Sequence, residues 1–308
     1  MDLLPRLVFA PQRTEFAVIP PASAAWQQRF TPDRLTPLPF TPVWEKLRPH
    51  EQLRYNQIHG LYAHEQIIFF EQELIVPLLR AAQPLVKDAA LRESLDVFVA
   101  EENAHSSAFH RLLRELRPEW YQNGWRHFVK MSPAGSAVSS AMIRRPGWFP
   151  FLVWLVQLLE ERTMFASRLY LAEEDAFPAS IVSVQRQHLA DEADHVRWDA
   201  AVIAQLWSET PVWLRRVNAF LLDWVLREFI AAPRRAALRV IDALASDLPD
   251  LSVPPRQLKA ALRALARRED FRRTVFARDS VPRTWKQASI APDFASFVSL
   301  WLTHEHAP

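Results

Sequence analysis

Only 4 glycines occur in 308 residues, and that scarcity constrains the fold more than any other feature. Sheets and phosphate-cradling loops use glycine freely where the backbone turns sharply. A chain that nearly dispenses with it is expected to be mostly helical. The 24 prolines fall mostly outside the strongly periodic stretches, as they should if those stretches are helix interiors.

The periodicity agrees. Residues 51–82 read as one long helix ended by Pro84. Asp88 is placed to cap a second, running to about Leu116. A third spans about 147–174, Asp175 to Pro178 form a turn, and a fourth spans about 179–207. Residues 118–146 carry a mixed pattern. Residues 211–246 read as one or two further helices, Pro254 and Pro255 precede another at 256–277, and the tail beyond reads as irregular. Short connections within the two long pairs predict antiparallel hairpins, and together a four-helix bundle. Residues 1–50 hold nine prolines and read as an extended arm. Its Trp26, Phe30, Phe40 and Trp44 need to wrap onto the body to leave water. The expectation is one all-α domain, with an arm at 1–50, the bundle at 51–207 and covering helices at 208–308.

Composition removes several function classes. There is no cysteine, hence no disulfide, thiolate zinc site, iron–sulfur cluster or cysteine nucleophile. Any metal must be held by carboxylate and imidazole. The net charge is +2, and basic residues are interleaved with acids, so no nucleic-acid partner is expected. The N-terminus lacks a secretory pattern. The most apolar run, Trp148 to Leu159, is shorter than the roughly 20 residues that span a bilayer. A cytoplasmic protein without a membrane partner is expected.

Two Glu-x-x-His motifs carry the chemistry. Glu102 and His105 lie on the second helix; Glu192 and His195 lie on the fourth. Positions i and i+3 share a helix face, so each pair can reach one metal. Leu95, Phe98, Phe109 and Leu112 flank the first pair; Ile181, Gln185 and Ile203 lie along the stripe of the second. Carboxylates embedded in such stripes should face the bundle interior, where charge is costly unless paired or metal-bound. A two-metal bundle site needs one further glutamate from each remaining helix. The first helix offers Glu65, Glu71 and Glu73, and Glu71 has the best apolar stripe. The third offers Glu160 and Glu161. An offset of 90 residues carries Glu102 to Glu192, His105 to His195 and Glu71 to Glu161. It selects Glu71 and Glu161, with Glu160 one register away. His188 lies one turn before Glu192 and adds an imidazole to that face. The expected ligand set is Glu71, Glu102, His105, Glu161, His188, Glu192 and His195. Its hard carboxylates and neutral imidazoles suit two iron ions, with manganese as the other candidate. Glu101, Asp191 and Asp199 are candidate partners for the ligand histidines.

At this point the chain resembles the p-aminobenzoate N-oxygenase family of ferritin-like diiron enzymes. The resemblance rests on His188-Leu-Ala-Asp-Glu192-Ala-Asp-His195-Val-Arg, on Phe70-Glu71 with Glu101-Glu102-Asn-Ala-His105, and on Leu-Leu-Glu160-Glu161-Arg162-Thr163. It covers roughly residues 45–207. The extra histidine on the last helix distinguishes this family from the commoner site of four carboxylates and two histidines. The resemblance implies a non-haem diiron monooxygenase that activates dioxygen as a peroxo species, with an external electron donor. The implied reaction is oxidation of an amine to hydroxylamine, nitroso or nitro product, as in secondary-metabolite biosynthesis. Because the family's first-helix glutamate sits farther upstream of its Glu-x-x-His, Glu65 stays an alternative to Glu71. The resemblance and the apolar C-terminal helices also predict a homodimer. The competing reading is a ferritin-like diiron or Mn/Fe oxidase or radical-generating protein, for which Tyr62 and Tyr170 are the candidate radical residues. The arm and covering helices argue against iron storage, which uses a short bundle.

Overall fold

The computed structural model describes residues 23–230 and 235–300. The first part of the expected arm, residues 1–22, lies outside them, as do residues 301–308. Helix α1 (Pro49–Phe70) passes through one wide π-turn (Glu71–Ile75) into α2 (Val76–Ala82). Then come α3 (Ala89–Leu116), the short α4 (Pro118–Tyr121), α5 (Pro133–Ile143), α6 (Phe151–Ala172) and α7 (Ala179–Glu209). The C-terminal part holds α8 (Val212–Val225), α9 (Arg235–Asp247), α10 (Pro255–Ala264), α11 (Glu269–Val275), α12 (Pro282–Ser289) and α13 (Ala295–Leu300). No β-strand occurs among the described residues, and none of their helices is long and apolar enough to cross a membrane.

Local chemistry sets the boundaries. The Asp88 carboxylate accepts from the Leu91 amide at 2.8 Å and caps α3, as a side-chain acceptor should at a helix start. Pro178 precedes α7 and Pro150 precedes α6. The π-turn has an equally local cause. Pro77 has no amide to give the preceding turn, and just before it the Val76 amide reaches back to the Glu71 carbonyl, five residues away. One residue too many for a regular turn is thereby inserted immediately after Glu71.

The helices α1, α3, α6 and α7 form the bundle: α1 packs on α3, α3 on α7, and α7 along α6. Two apolar clusters fill it at opposite ends of one polar layer. Phe109, Leu112, Ile58 and Ile181 belong to one cluster; Phe98, Leu95, Leu158 and Val202 belong to the other. Each fully buried side chain of this size contributes roughly 1.5–3 kcal/mol. The two ends therefore hold the layer between them under strong constraint.

The described part of the arm lies against the body. Asn56 clamps it, accepting from the amides of Phe30 and Thr31 at 2.9 and 3.2 Å and donating to the Thr31 carbonyl at 2.8 Å. Phe30 is fully buried and lies directly over Gly60, where a Cβ would meet the Phe30 Cβ at 2.5 Å. Only glycine leaves room for that crossing.

Two expectations for the C-terminal region are corrected. The segment 256–277 is not one helix but α10 and α11, parted by a tighter turn at Leu265–Arg267. The tail is not irregular as far as residue 300: α12 and α13 pack against α6 and α8, and the Gln157 amide donates to Thr284 Oγ1 at 2.9 Å. Pro282 opens α12 at its first position, a start signal short enough to be lost in a Pro-rich sequence.

Candidate metal centre

The polar layer is built from six of the seven expected residues and one neighbour. Glu71, at the start of the π-turn, and Glu102 and His105 on α3 come from the first hairpin. His188, Glu192 and His195 come from α7. All are essentially inaccessible to solvent. His195 Nδ1 lies 3.1 Å from Glu102 Oε1 and 3.4 Å from Glu192 Oε2. His105 Nδ1 lies 3.4 Å from Glu102 Oε1 and 3.8 Å from Glu192 Oε1. His188 Nε2 lies 2.6 Å from Glu192 Oε1 and 3.6 Å from Glu71 Oε1. Two groups have donor atoms close enough to share an ion: Glu102, His105, Glu192 and His195, and Glu71, His105 and His188.

The α6 contribution differs from the expectation. Glu161 does not join the layer. Its carboxylate accepts from the amides of Arg283 and Thr284 at 2.7 and 2.8 Å and so caps the N-terminus of α12, whose first amides have no partner of their own. Glu160 points inward instead, lining the same small cavity as Glu71, Glu102 and His188. Helical register is the reason. Val156, Glu160, Thr163 and Ser167 share one face, and Ser167 donates to Gln185 of α7 at 2.7 Å, which fixes that face inward. Glu65, the alternative to Glu71, is likewise outside the layer. It accepts from the amides of Phe128 and Val129 at 2.7 and 2.6 Å and from Tyr121.

The histidines are held from behind. His105 Nε2 lies 3.2 Å from Asp191 Oδ2, and His195 Nε2 lies 3.0 Å from Glu101 Oε2. A carboxylate can only accept, so each ring carries a proton on its outer nitrogen and Nδ1 faces inward. Phe98 stacks on His195 with centroids 3.9 Å apart, and Phe109 stands edge-on to His188 at 5.2 Å. Behind Glu71, Gln72 donates to Ser106 Oγ at 2.9 Å and Ser106 donates to Glu71 Oε2 at 2.5 Å. This second chain had no sequence signal, because a serine following a histidine is unremarkable.

Crowding perturbs every titration in the layer. Burial, together with the charges of Glu192 and Glu102, pushes the Glu160 carboxyl well above its usual range, and a hydrogen bond joins it to Glu192. Burial opposes a charged His188, yet Glu192 and Glu71 beside it push its value up to about 10. Burial also disfavours charge on Glu192, but His188 and the other groups around it hold that carboxyl well below the ordinary range. The carboxylates of Glu102 and Glu192 are fully buried, and among the described residues no lysine or arginine pairs with them. Buried anions left in that state are costly unless a cation neutralises them. Asp199 is also buried, with both oxygens lacking a donor. Arg162 turns away and donates to the Val275 carbonyl at 2.6 Å, and Arg197 pairs with Asp194 at the surface.

On the side away from α3 and α7, the cavity is lined by Ile67, Phe70 and Ile75 of the first chain segment and Leu159 and Thr163 of α6. Its free space is that of about one water molecule. Ile67, Phe70 and Thr163 are partly exposed, so the approach lies between α1 and α6. Trp154, Leu158, Met164 and Phe165 of α6 do not line it. Trp154 packs on Phe294 at 4.5 Å. Tyr170 donates to the Phe30 carbonyl at 3.1 Å and so serves the arm.

The fold and this layer define a helical bundle with a buried carboxylate–histidine group able to hold metal ions. The family model described as p-aminobenzoate N-oxygenase AurF matches residues 20–288. The chain belongs to that family. No curated protein and no solved structure matches it.

Proposed function

We propose that this protein is a non-haem diiron oxygenase that uses dioxygen to oxidise the nitrogen of a small aromatic amine. The observation that carries the reading is the pair of buried Glu-x-x-His motifs, whose carboxylates and inward-facing imidazole nitrogens lie close enough together to share a metal ion. Glu71, Glu102, His105, Glu160, His188, Glu192 and His195 would hold two irons, with Glu160 taking the place first expected of Glu161. The irons, when bound, supply dioxygen activation.

The chain's own residues prepare that chemistry. Asp191 and Glu101 fix the tautomer and direction of His105 and His195. Ser106 holds Glu71 in place. Phe98 and Phe109 close both ends of the layer against water, so that the oxidant meets the organic substrate and not solvent. Ile67, Phe70, Leu159 and Thr163 offer a mainly apolar approach to an aromatic ring, which suits an arylamine entering between α1 and α6. Membership of the N-oxygenase family supports the choice of nitrogen as the atom oxidised, with an external donor supplying electrons.

The test is aerobic turnover of the iron-loaded protein with a chemical reductant and p-aminobenzoate or a related arylamine. Hydroxylamine, nitroso or nitro product is expected. Iron-loaded protein that consumes dioxygen and leaves every arylamine unchanged would contradict the amine assignment.

A further inference from the structure

Aromatic rings pack on the layer's histidines from outside. Phe98 lies 3.9 Å from His195 and Phe109 lies 5.2 Å from His188, and both are fully buried. Trp198, three residues after His195 on α7, differs from them. Its ring centroid lies 5.8 Å from that of His195, tilted by 36°, and 5.7 Å from that of Phe98, yet the residue is 7% exposed. It therefore touches the layer on one side and meets solvent on the other. Its face is also the most electron-rich of the aromatic side chains, and an indole gives up an electron far more readily than a benzene ring. The indole Nε1 is buried without a hydrogen-bond partner among the described residues, where a buried indole usually finds one.

We infer that Trp198 is an electron relay, which drains single oxidising equivalents from the layer when dioxygen is activated with no organic substrate in place. The inference rests on the oxygenase reading above. An oxidant formed beside His195 and denied a substrate attacks the protein itself, and the chain has no cysteine to absorb it. In the relay the indole passes one electron to the layer and becomes a radical cation; no covalent bond forms or breaks. The Nε1 proton has no acceptor at hand, so it stays. One electron from a small reductant in solvent, of the ascorbate or thiol class, then restores the ring. The layer is reduced by one electron and the solvent reductant is oxidised by one. Other residues fit the role less well. Tyr62 packs on His59 at 5.5 Å and Tyr170 on His64 at 6.0 Å, and neither of those histidines belongs to the layer. Glu101 and Asp191 touch His195 and His105 at 3.0 and 3.2 Å, but a carboxylate is far harder to oxidise than an indole.

Trp198→Phe keeps an aromatic ring in place and removes the oxidisable one. Ferrous-loaded wild type mixed with dioxygen, with no amine present, should show a tryptophan radical by freeze-quench electron paramagnetic resonance. The signal should be lost in the variant, with iron content and helicity unchanged. Ring-deuterated tryptophan should narrow the wild-type signal, which assigns it to an indole without any substitution. Through repeated reduction and oxygenation with ascorbate present, the wild type should keep its mass. The variant should gain oxygen on peptides that carry layer residues, as read by mass spectrometry. A radical that survives Trp198→Phe, or one that deuterated tryptophan leaves unaltered, would overturn the inference. So would wild-type protein that consumes dioxygen without forming a radical, or equal oxidation of peptides in the two proteins. Iron-loaded wild type that consumes no dioxygen would instead sink the oxygenase reading, and the relay with it.

Discussion

Asp191 of α7 reaches across the bundle to His105 of α3, with 3.2 Å between Oδ2 and Nε2, and Glu101 returns the gesture to His195 at 3.0 Å. Each Glu-x-x-His motif thus has the carboxylate just before its glutamate occupied by the other motif's histidine. The exchange ties α3 to α7 and points both Nδ1 atoms at the same space. If these carboxylates set ring direction, Asp191→Asn and Glu101→Gln should each weaken iron binding by about 10–100-fold without unfolding the chain. Titration of metal-free protein with ferrous iron under anaerobic conditions measures this. Wild-type affinity in both variants would show that the outer contacts are incidental.

Consecutive glutamates on α6 should behave differently. Glu160→Gln removes a member of the layer and should lower bound iron from about two per chain to one or fewer. Glu161→Gln should leave iron content unchanged and lower stability by about 1–3 kcal/mol, since it weakens a buried acceptor for two α12 amides. Elemental analysis and urea unfolding read the two effects separately. The reverse pattern would restore Glu161 to the site.

The difference between those two residues marks what was legible in the sequence. Glu102, His105, Glu192 and His195 could be read because a motif on an apolar stripe declares its own face. The exchanged partners Glu101 and Asp191 were legible as candidates for the same reason. Glu161 misled because the 90-residue offset counts residues and not turns: neither the π-turn after Glu71 nor the true face of α6 is visible in a count. What the Glu161 carboxylate binds, the start of α12, lay in a segment that read as irregular. The fold class followed from glycine scarcity and helical periodicity. The C-terminal packing did not, because short helices such as α12 and α13 owe their stability to tertiary contacts more than to local signals.

Glu51 offers a test by pH. Burial pushes its carboxyl up, but Arg48, Ser252 and the amides of both residues bring it down to about 2 from a reference of 4.5. Because the folded-state value is the lower one, its contribution is fully present above about 4.5 and is lost as pH falls through about 2. Glu51→Gln should cost about 2 kcal/mol at pH 7, and the gap from wild type should shrink between pH 4.5 and 2. Urea unfolding across that range checks it. A gap that is constant with pH would mean the carboxylate's charge is not what holds Arg48 and Ser252.

Gly60→Ala tests the seat of the arm. The added Cβ would lie 2.8 Å from the Phe30 carbonyl carbon as well as 2.5 Å from its Cβ. Phe30 is locked by Asn56 and Tyr170, so it cannot simply move aside. The substitution should destabilise by about 1–3 kcal/mol and make the Phe30 region more susceptible to protease, with bound iron retained. Undiminished stability would mean the crossing is looser than described.

The central claim is that the polar layer holds two metal ions. Elemental analysis of the purified chain, after anaerobic loading with ferrous iron and removal of excess, tests it most directly. The account predicts about two irons per chain in the wild type and a clear loss in a Glu102→Ala, Glu192→Ala double variant. Folded wild-type protein that retains no iron, or retains it equally in the double variant, would contradict it.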